Sequence, residues 1–117
     1  MKYLSALAVI ATIFGPLHAQ AENGKLGERI GSAVYGHHCA ACHAPHVIMV
    51  ASPKLHDERA WSQRLEKGFN AVLSNALNGI GAMPEMGGCS ECSEAEIEAA
   101  LRYMAAPALS ATDPSGQ

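Results

Sequence analysis

An all-α fold is predicted, four to five helices packed around one tethered group, and three observations predict it. Apolar residues in the body of the chain recur at helical spacing, and no stretch alternates convincingly as a strand would. The run Cys39-Ala40-Ala41-Cys42-His43 has the Cys-X-X-Cys-His spacing at which a polypeptide is covalently attached to haem. Beyond residue 21 the only aromatics are Tyr35, Trp61, Phe69 and Tyr103, among many alanines and glycines, so the side chains alone underfill a core. A haem supplies that missing apolar volume, as small domains commonly require.

The first element is a leader. Met1-Lys2 gives a positive start, Tyr3 to Leu17 is apolar and almost uncharged, and Ala19-Gln20-Ala21 matches a small-X-small cleavage site. Residues 1–21 therefore read as a signal peptide. A retained membrane anchor is the alternative, although the run is short for a span and Gly15-Pro16 interrupts it. Export agrees with haem attachment, which in bacteria takes place outside the cytoplasmic membrane, and it predicts a periplasmic location. Cleavage leaves about 96 of the 117 residues, one domain over 22–105 followed by a tail over 106–117. No internal repeat, nucleic-acid motif or membrane span appears in that part.

Leu26, Ile30, Ala33 and Val34 predict a helix from about Gly24 to His38 that runs into the Cys39–His43 turn. Glycine in a helix costs up to about 1 kcal/mol, so a packing reason is expected, a close helix crossing at Gly31 one turn before Tyr35. Asp57 or its neighbour opens a second helix through Trp61 and Leu65 that ends at Gly68. Asn70 is expected to cap a third over Ala71 to Asn78, ended by Gly79 to Gly81. The capping box Ser93-Glu94-Ala95-Glu96 opens a fourth, with Ile97, Ala100, Leu101 and Met104 on one face. That helix should stop near Ala105 because of Pro107, leaving Ala108 to Gln117 unstructured.

In the Cys39–His43 run, two thiols at i and i+3 share a helical face and are placed to add to two vinyl groups along one porphyrin edge. His43 then reaches the iron, its coordination entropy largely removed by two covalent anchors. The competing reading is a zinc site built from Cys39/Cys42 and Cys89/Cys92. The stretch between the pairs is too long for a zinc ribbon, and zinc leaves His43 unexplained. A thioredoxin-like dithiol wants a βαβ pattern that is absent. For the sixth iron position Met83 is the candidate, on a loop between glycines and stiffened by Pro84. Met86 in the same loop and Met49 compete, and His37, His38, His46 and His56 are the candidates for bis-histidine ligation.

These residues resemble the class I cytochromes c, within them the cytochrome c5 subgroup, from about Gly27 to Met104. The likeness rests on "CAACH", "SPKLHD", "NALNGIGAMPEMGGCSEC" and "SEAEIEAALRYM". It implies a crossing of the first and last helices through Gly31 and Tyr35 against Ala100 and Tyr103. It implies that Pro53 offers its carbonyl to the His43 Nδ1–H, that Leu55 packs on the haem, and that Trp61 and Arg64 reach a propionate. Cys89 and Cys92 lack a following histidine, and the subgroup carries a short disulfide there, as export also favours. A redox-active dithiol is the other reading of that pair. The chain departs from the subgroup in its bulky Val47 to Val50, in Asp57 after His56, and in Met86 within the loop after Met83.

One covalent haem c with both axial positions filled describes an electron carrier and not an enzyme, docking briefly on redox proteins such as membrane respiratory complexes, oxidases or reductases. A monomer or weak dimer is expected, with no nucleic acid and no small-molecule substrate. A haem sensor or catalyst with a labile Met83 is the rival, and a structural zinc module the third reading. Eight Lys/Arg, of which Lys2 leaves with the leader, stand against eleven Asp/Glu. Beyond Asn70 only Arg102 is basic, so the acids either form a docking patch or serve the last helix through its dipole.

Overall fold

A computed structural model describes residues 29–112, so the leader and the glycines at 24 and 27 lie outside the described residues. The elements are α1 (Gly31–Val34), a π-turn (Tyr35–Cys39), α2 (Ala40–His43), α3 (Glu58–Leu65), α4 (Phe69–Asn78), a 3-10 turn (Glu85–Gly88) and α5 (Glu94–Thr112). Among the described residues there is no strand, only one antiparallel bridge between Ile80 and Met83. None of the described helices is long and apolar enough to cross a membrane.

α1, the π-turn and α2 form one continuous rod that starts later than the apolar spacing predicts. Arg29 and Ile30 are not helical because the buried Glu96 takes the Arg29 backbone N–H at 2.8 Å and its Nε–H at 2.9 Å. The expected crossing is present: a Cβ on Gly31 would stand 2.1 Å from the Ala99 carbonyl oxygen, and Tyr35 meets Tyr103 with ring centroids 5.5 Å apart. The π-turn then changes the register. One extra residue in a helix rotates the succeeding turns by roughly 100°. That rotation brings Cys39 and His43 onto the face that Val34 and Tyr35 bury, and leaves Cys42 exposed.

Asp57 caps α3, its Oδ1 accepting from the Ala60 N–H at 3.0 Å. α4 begins two residues before the predicted start. Gly68, at φ 90°, is its N-cap, and Asn70 lies inside the first turn without a capping bond. Gly79 ends α4 at φ 80°, where a Cβ would stand 2.9 Å from both the Met83 carbonyl oxygen and the Glu85 nitrogen. Only glycine lets the loop fold back so closely.

α5 opens with the predicted capping box: Ser93 Oγ accepts from the Glu96 N–H at 3.1 Å, and Glu96 Oε2 accepts from the Ser93 N–H at 2.9 Å. Its end corrects the sequence reading, because Pro107 lies inside a helix that continues to Thr112, with Ala108 fully buried. The carbonyl that the proline deprives of its helical donor is that of Tyr103, and the His56 imidazole donates to it at 3.0 Å. The break therefore leaves no buried group unsatisfied, and the helix runs on.

Bonds from the Arg29 side chain and backbone, then the Ser93 N–H, hold the Glu96 carboxyl at about 2, below its ordinary 4.5. A carboxylate whose folded value is depressed contributes stability that is complete above the unfolded value and lost as pH falls toward the folded one. Denaturant unfolding of the haem-loaded protein should accordingly weaken between about pH 4.5 and pH 2. In Glu96→Gln stability should be lower at pH 7 and this acid limb flattened. An unchanged acid limb in the variant would assign it to other groups.

Candidate functional site

Two adjoining cavities of about 330 and 450 Å³ share His43, Pro53, Arg64, Ile80 and Met83 as wall residues. Cys39 and Cys42 line the larger, with Val50, Gly81, Ala82 and Pro84. Val72, Ala76, Leu101 and Met104 give the smaller an apolar back wall, and Gln63, Lys67 and Asn75 add polar groups. This is a mainly apolar cleft, basic at one side, with the two thiols and the imidazoles of His38 and His43 on a single rod.

His43 is the best fixed of these groups. Its Nδ1 lies 2.7 Å from the Pro53 carbonyl oxygen, and since a carbonyl only accepts, Nδ1 carries the proton and Nε2 the lone pair. Nε2 has no partner among the described residues, on a ring that lines both cavities. Burial, above the opposing Pro53 bond, lowers the pKa of His43, which favours the neutral ring a metal requires. Trp61, 2% exposed, stacks behind it at 6.3 Å and 18°. Burial also pushes the Cys39 thiol up to about 11, so it is protonated and apolar in the wall.

The C-terminus of α2 is held by residues that the sequence reading did not single out. Ser52 Oγ donates to the Cys42 carbonyl oxygen at 2.6 Å and Lys54 Nζ donates to it at 2.9 Å, a cation at the negative end of the rod. The signal available was weak, since Lys54 lies eleven residues beyond the end of α2. Met83 is set by a tight reversal: Ile80 N–H donates to the Met83 carbonyl and Met83 N–H to the Ile80 carbonyl, both at 3.0 Å, around Gly81 at φ 58°.

Of the other sequence-predicted residues, Pro53 is where the resemblance implies. Leu55 is half-buried against the core and lies outside the walls of the two cavities. Trp61 lines the smaller cavity with its ring, and its Nε1–H donates to the Lys54 carbonyl at 2.8 Å. Arg64 lies on the wall of both cavities, one amino group donating to the Ala60 carbonyl at 2.9 Å. Met86 packs on the core away from the cavities, and Met49 is 91% exposed.

Cys89 and Cys92 have their sulfurs 2.04 Å apart, with the Arg29 Nη2 3.2 Å from the Cys92 sulfur. Their nearest ligating neighbour is His38, not Cys39 or Cys42, so the four-cysteine zinc site is not assembled. The acids on this side are largely spoken for: Glu91 faces Arg29 at 3.6 Å and His38 at 3.4 Å, Glu98 pairs with Arg102 at 2.7 Å, and Glu96 is buried.

Residues 27–104 match the family described as "Cytochrome C oxidase, cbb3-type, subunit III". Cytochrome c5 of Ectopseudomonas mendocina is 36% identical over 80 residues, 67% of this chain and 90% of that protein. Among solved structures, the crystal structure of an electron transfer complex of nitrite reductase with cytochrome c contains a chain 41% identical to this one. It aligns with a TM-score of 0.58 over 67% of this chain and 93% of its own length. Cytochrome c6 from the diatom Phaeodactylum tricornutum aligns at 33% identity and a TM-score of 0.51, over 68% of this chain and 92% of its own. The rod that carries Cys39, Cys42 and His43 lies inside the matched span. The chain therefore belongs to this family of c-type cytochrome domains, as a class I monohaem cytochrome c of the c5 subgroup, an electron carrier with one covalently attached haem c.

Proposed function

We propose that the chain is a periplasmic shuttle of single electrons, its haem tethered through Cys39 and Cys42 and its iron ligated by His43 and Met83. The observation that carries this is that His43 and Met83 stand on the walls of the same pair of cavities while Cys39 and Cys42 line one of them. Bound there, the haem supplies an iron that exchanges one electron at a time. His43 offers Nε2 because Pro53 holds the opposite ring proton. Met83 offers a thioether, which favours the ferrous state over a second imidazole. Val72, Ala76, Leu101 and Met104 exclude water, and Arg64 and Lys67 stand at the wall to neutralise the propionates. The Cys89–Cys92 bridge braces the loop that carries Met83, and residues 1–21 are the cleaved leader.

Partners are redox proteins, with a reductase favoured as one class because a cytochrome c that is 41% identical is found in an electron-transfer complex with nitrite reductase. The test is the optical spectrum of the exported protein, oxidised and reduced. A c-type reduced spectrum together with a weak near-infrared sulfur-to-iron band in the oxidised form is expected, with negligible carbon monoxide binding by the ferrous protein. Covalent haem without that band, binding carbon monoxide rapidly at neutral pH, would overturn the carrier reading in favour of a ligand sensor.

A further inference from the structure

Pro107 removes one N–H from the interior of α5 and so frees the Tyr103 carbonyl, and His56, 47 residues before Tyr103 in sequence, makes good the loss. Its Nε2–H donates to the Tyr103 carbonyl at 3.0 Å, and its backbone N–H donates to the Met104 carbonyl at 2.9 Å. The imidazole also meets the Tyr103 ring edge-on, with centroids 5.4 Å apart at 65°. To do this His56 takes a φ of 59°, in the left-handed region that residues with a Cβ seldom adopt. Such a conformation persists where surrounding contacts over-determine it.

The same short segment is fastened at its other end to the iron site. Leu55 donates its N–H to the His43 carbonyl at 2.7 Å, and the Pro53 carbonyl accepts the His43 Nδ1–H at 2.7 Å. Residues 53–56 therefore bridge His43 and the gap that Pro107 opens in α5.

We propose that His56 and Pro107 are a positioning pair for His43. By docking the segment on α5 they fix where the Pro53 carbonyl stands, and so set the strength of the Nδ1–H bond and the electron donation of the ring to iron. This rests on His43 being the ligand.

Pro107→Ala tests the proposal, because it returns to α5 an N–H that competes with His56 for the Tyr103 carbonyl. Losing a proline from its interior should stabilise the helix and raise Tm. At the same time the His43 Nδ1–H should exchange with solvent about fivefold faster, the opening equivalent of one weakened hydrogen bond. The reduction potential should rise, as a less tightly held imidazole donates less. Opposite movement of stability and ligand fixation is not what a purely structural proline would give. His56→Gly, which is at ease at a φ of 59°, should reproduce the exchange and potential changes, and His56→Gln, which keeps a donor at similar reach, should reverse them. Nuclear magnetic resonance of the ferrous, haem-loaded protein reads the exchange. Unchanged exchange in both Pro107→Ala and His56→Gly would overturn the positioning role alone. A wild-type spectrum without a protected ring N–H would overturn the ligand assignment, and the proposal with it.

Discussion

Gly31→Ala is expected to destabilise the protein by about 3 kcal/mol, at the upper end of overpacking costs, and to cut the yield of haem-loaded chain sharply. Two effects of opposite sign compete there. Alanine is the better helix former by about 1 kcal/mol. Its Cβ, however, would stand 2.1 Å from the Ala99 carbonyl oxygen and 2.5 Å from the carbonyl carbon, backbone atoms that no rotamer change moves aside. α1 and α5 would have to separate along the crossing where Val34, Ala100 and Leu101 are almost fully buried. Gly36 is the control, since it lies on the same rod with nothing within 4 Å of its Cβ position. Gly36→Ala should be neutral or stabilising by up to about 1 kcal/mol. Denaturant unfolding of the two variants decides the matter: equal stabilities would mean that the helices do not approach so closely in solution.

Much of what depends on neighbours in the chain was legible in the sequence, although Gly68 and not Asn70 caps α4. The capping box at Ser93 and Glu96 and the Asp57 cap are local patterns, and each appears where expected. The Gly31 crossing was legible for a different reason: a glycine expected inside a helix needs a packing cause, and that cause is present although Gly31 is the first residue of α1. Two of the failures share one physical origin, a partner distant in sequence. Pro107 reads as a helix stop only while the freed Tyr103 carbonyl has no other donor, and its donor is His56. The rod starts at Gly31 rather than near Gly24 because Glu96 takes the Arg29 N–H, and helical periodicity carries no trace of that bond. The π-turn was invisible too, since a one-residue insertion leaves the spacing of Tyr35, Cys39 and His43 unchanged and alters only their facing.

Met83→Ala and Met86→Leu should separate the two methionines of the loop more sharply than any other pair of variants. Met83 lies on the wall of both cavities, held there by the paired 3.0 Å bonds with Ile80 and by a Gly79 that admits no side chain. Met86, only three residues on, also packs on the core but lines neither cavity, and takes a left-handed φ of 56°. On the proposed ligation, Met83→Ala abolishes the near-infrared band and opens the sixth position to carbon monoxide. The reduction potential should fall by on the order of 0.1 V, within the roughly 0.8 V that axial ligation spans. Met86→Leu conserves volume, so its spectrum and potential should match the parent, with a stability change below about 1.5 kcal/mol. Loss of the band in Met86→Leu, with retention in Met83→Ala, would reverse the assignment. The loop would then have to turn over about Gly87 to bring a core residue to the iron, and the wall of the cleft would be rebuilt around Met86.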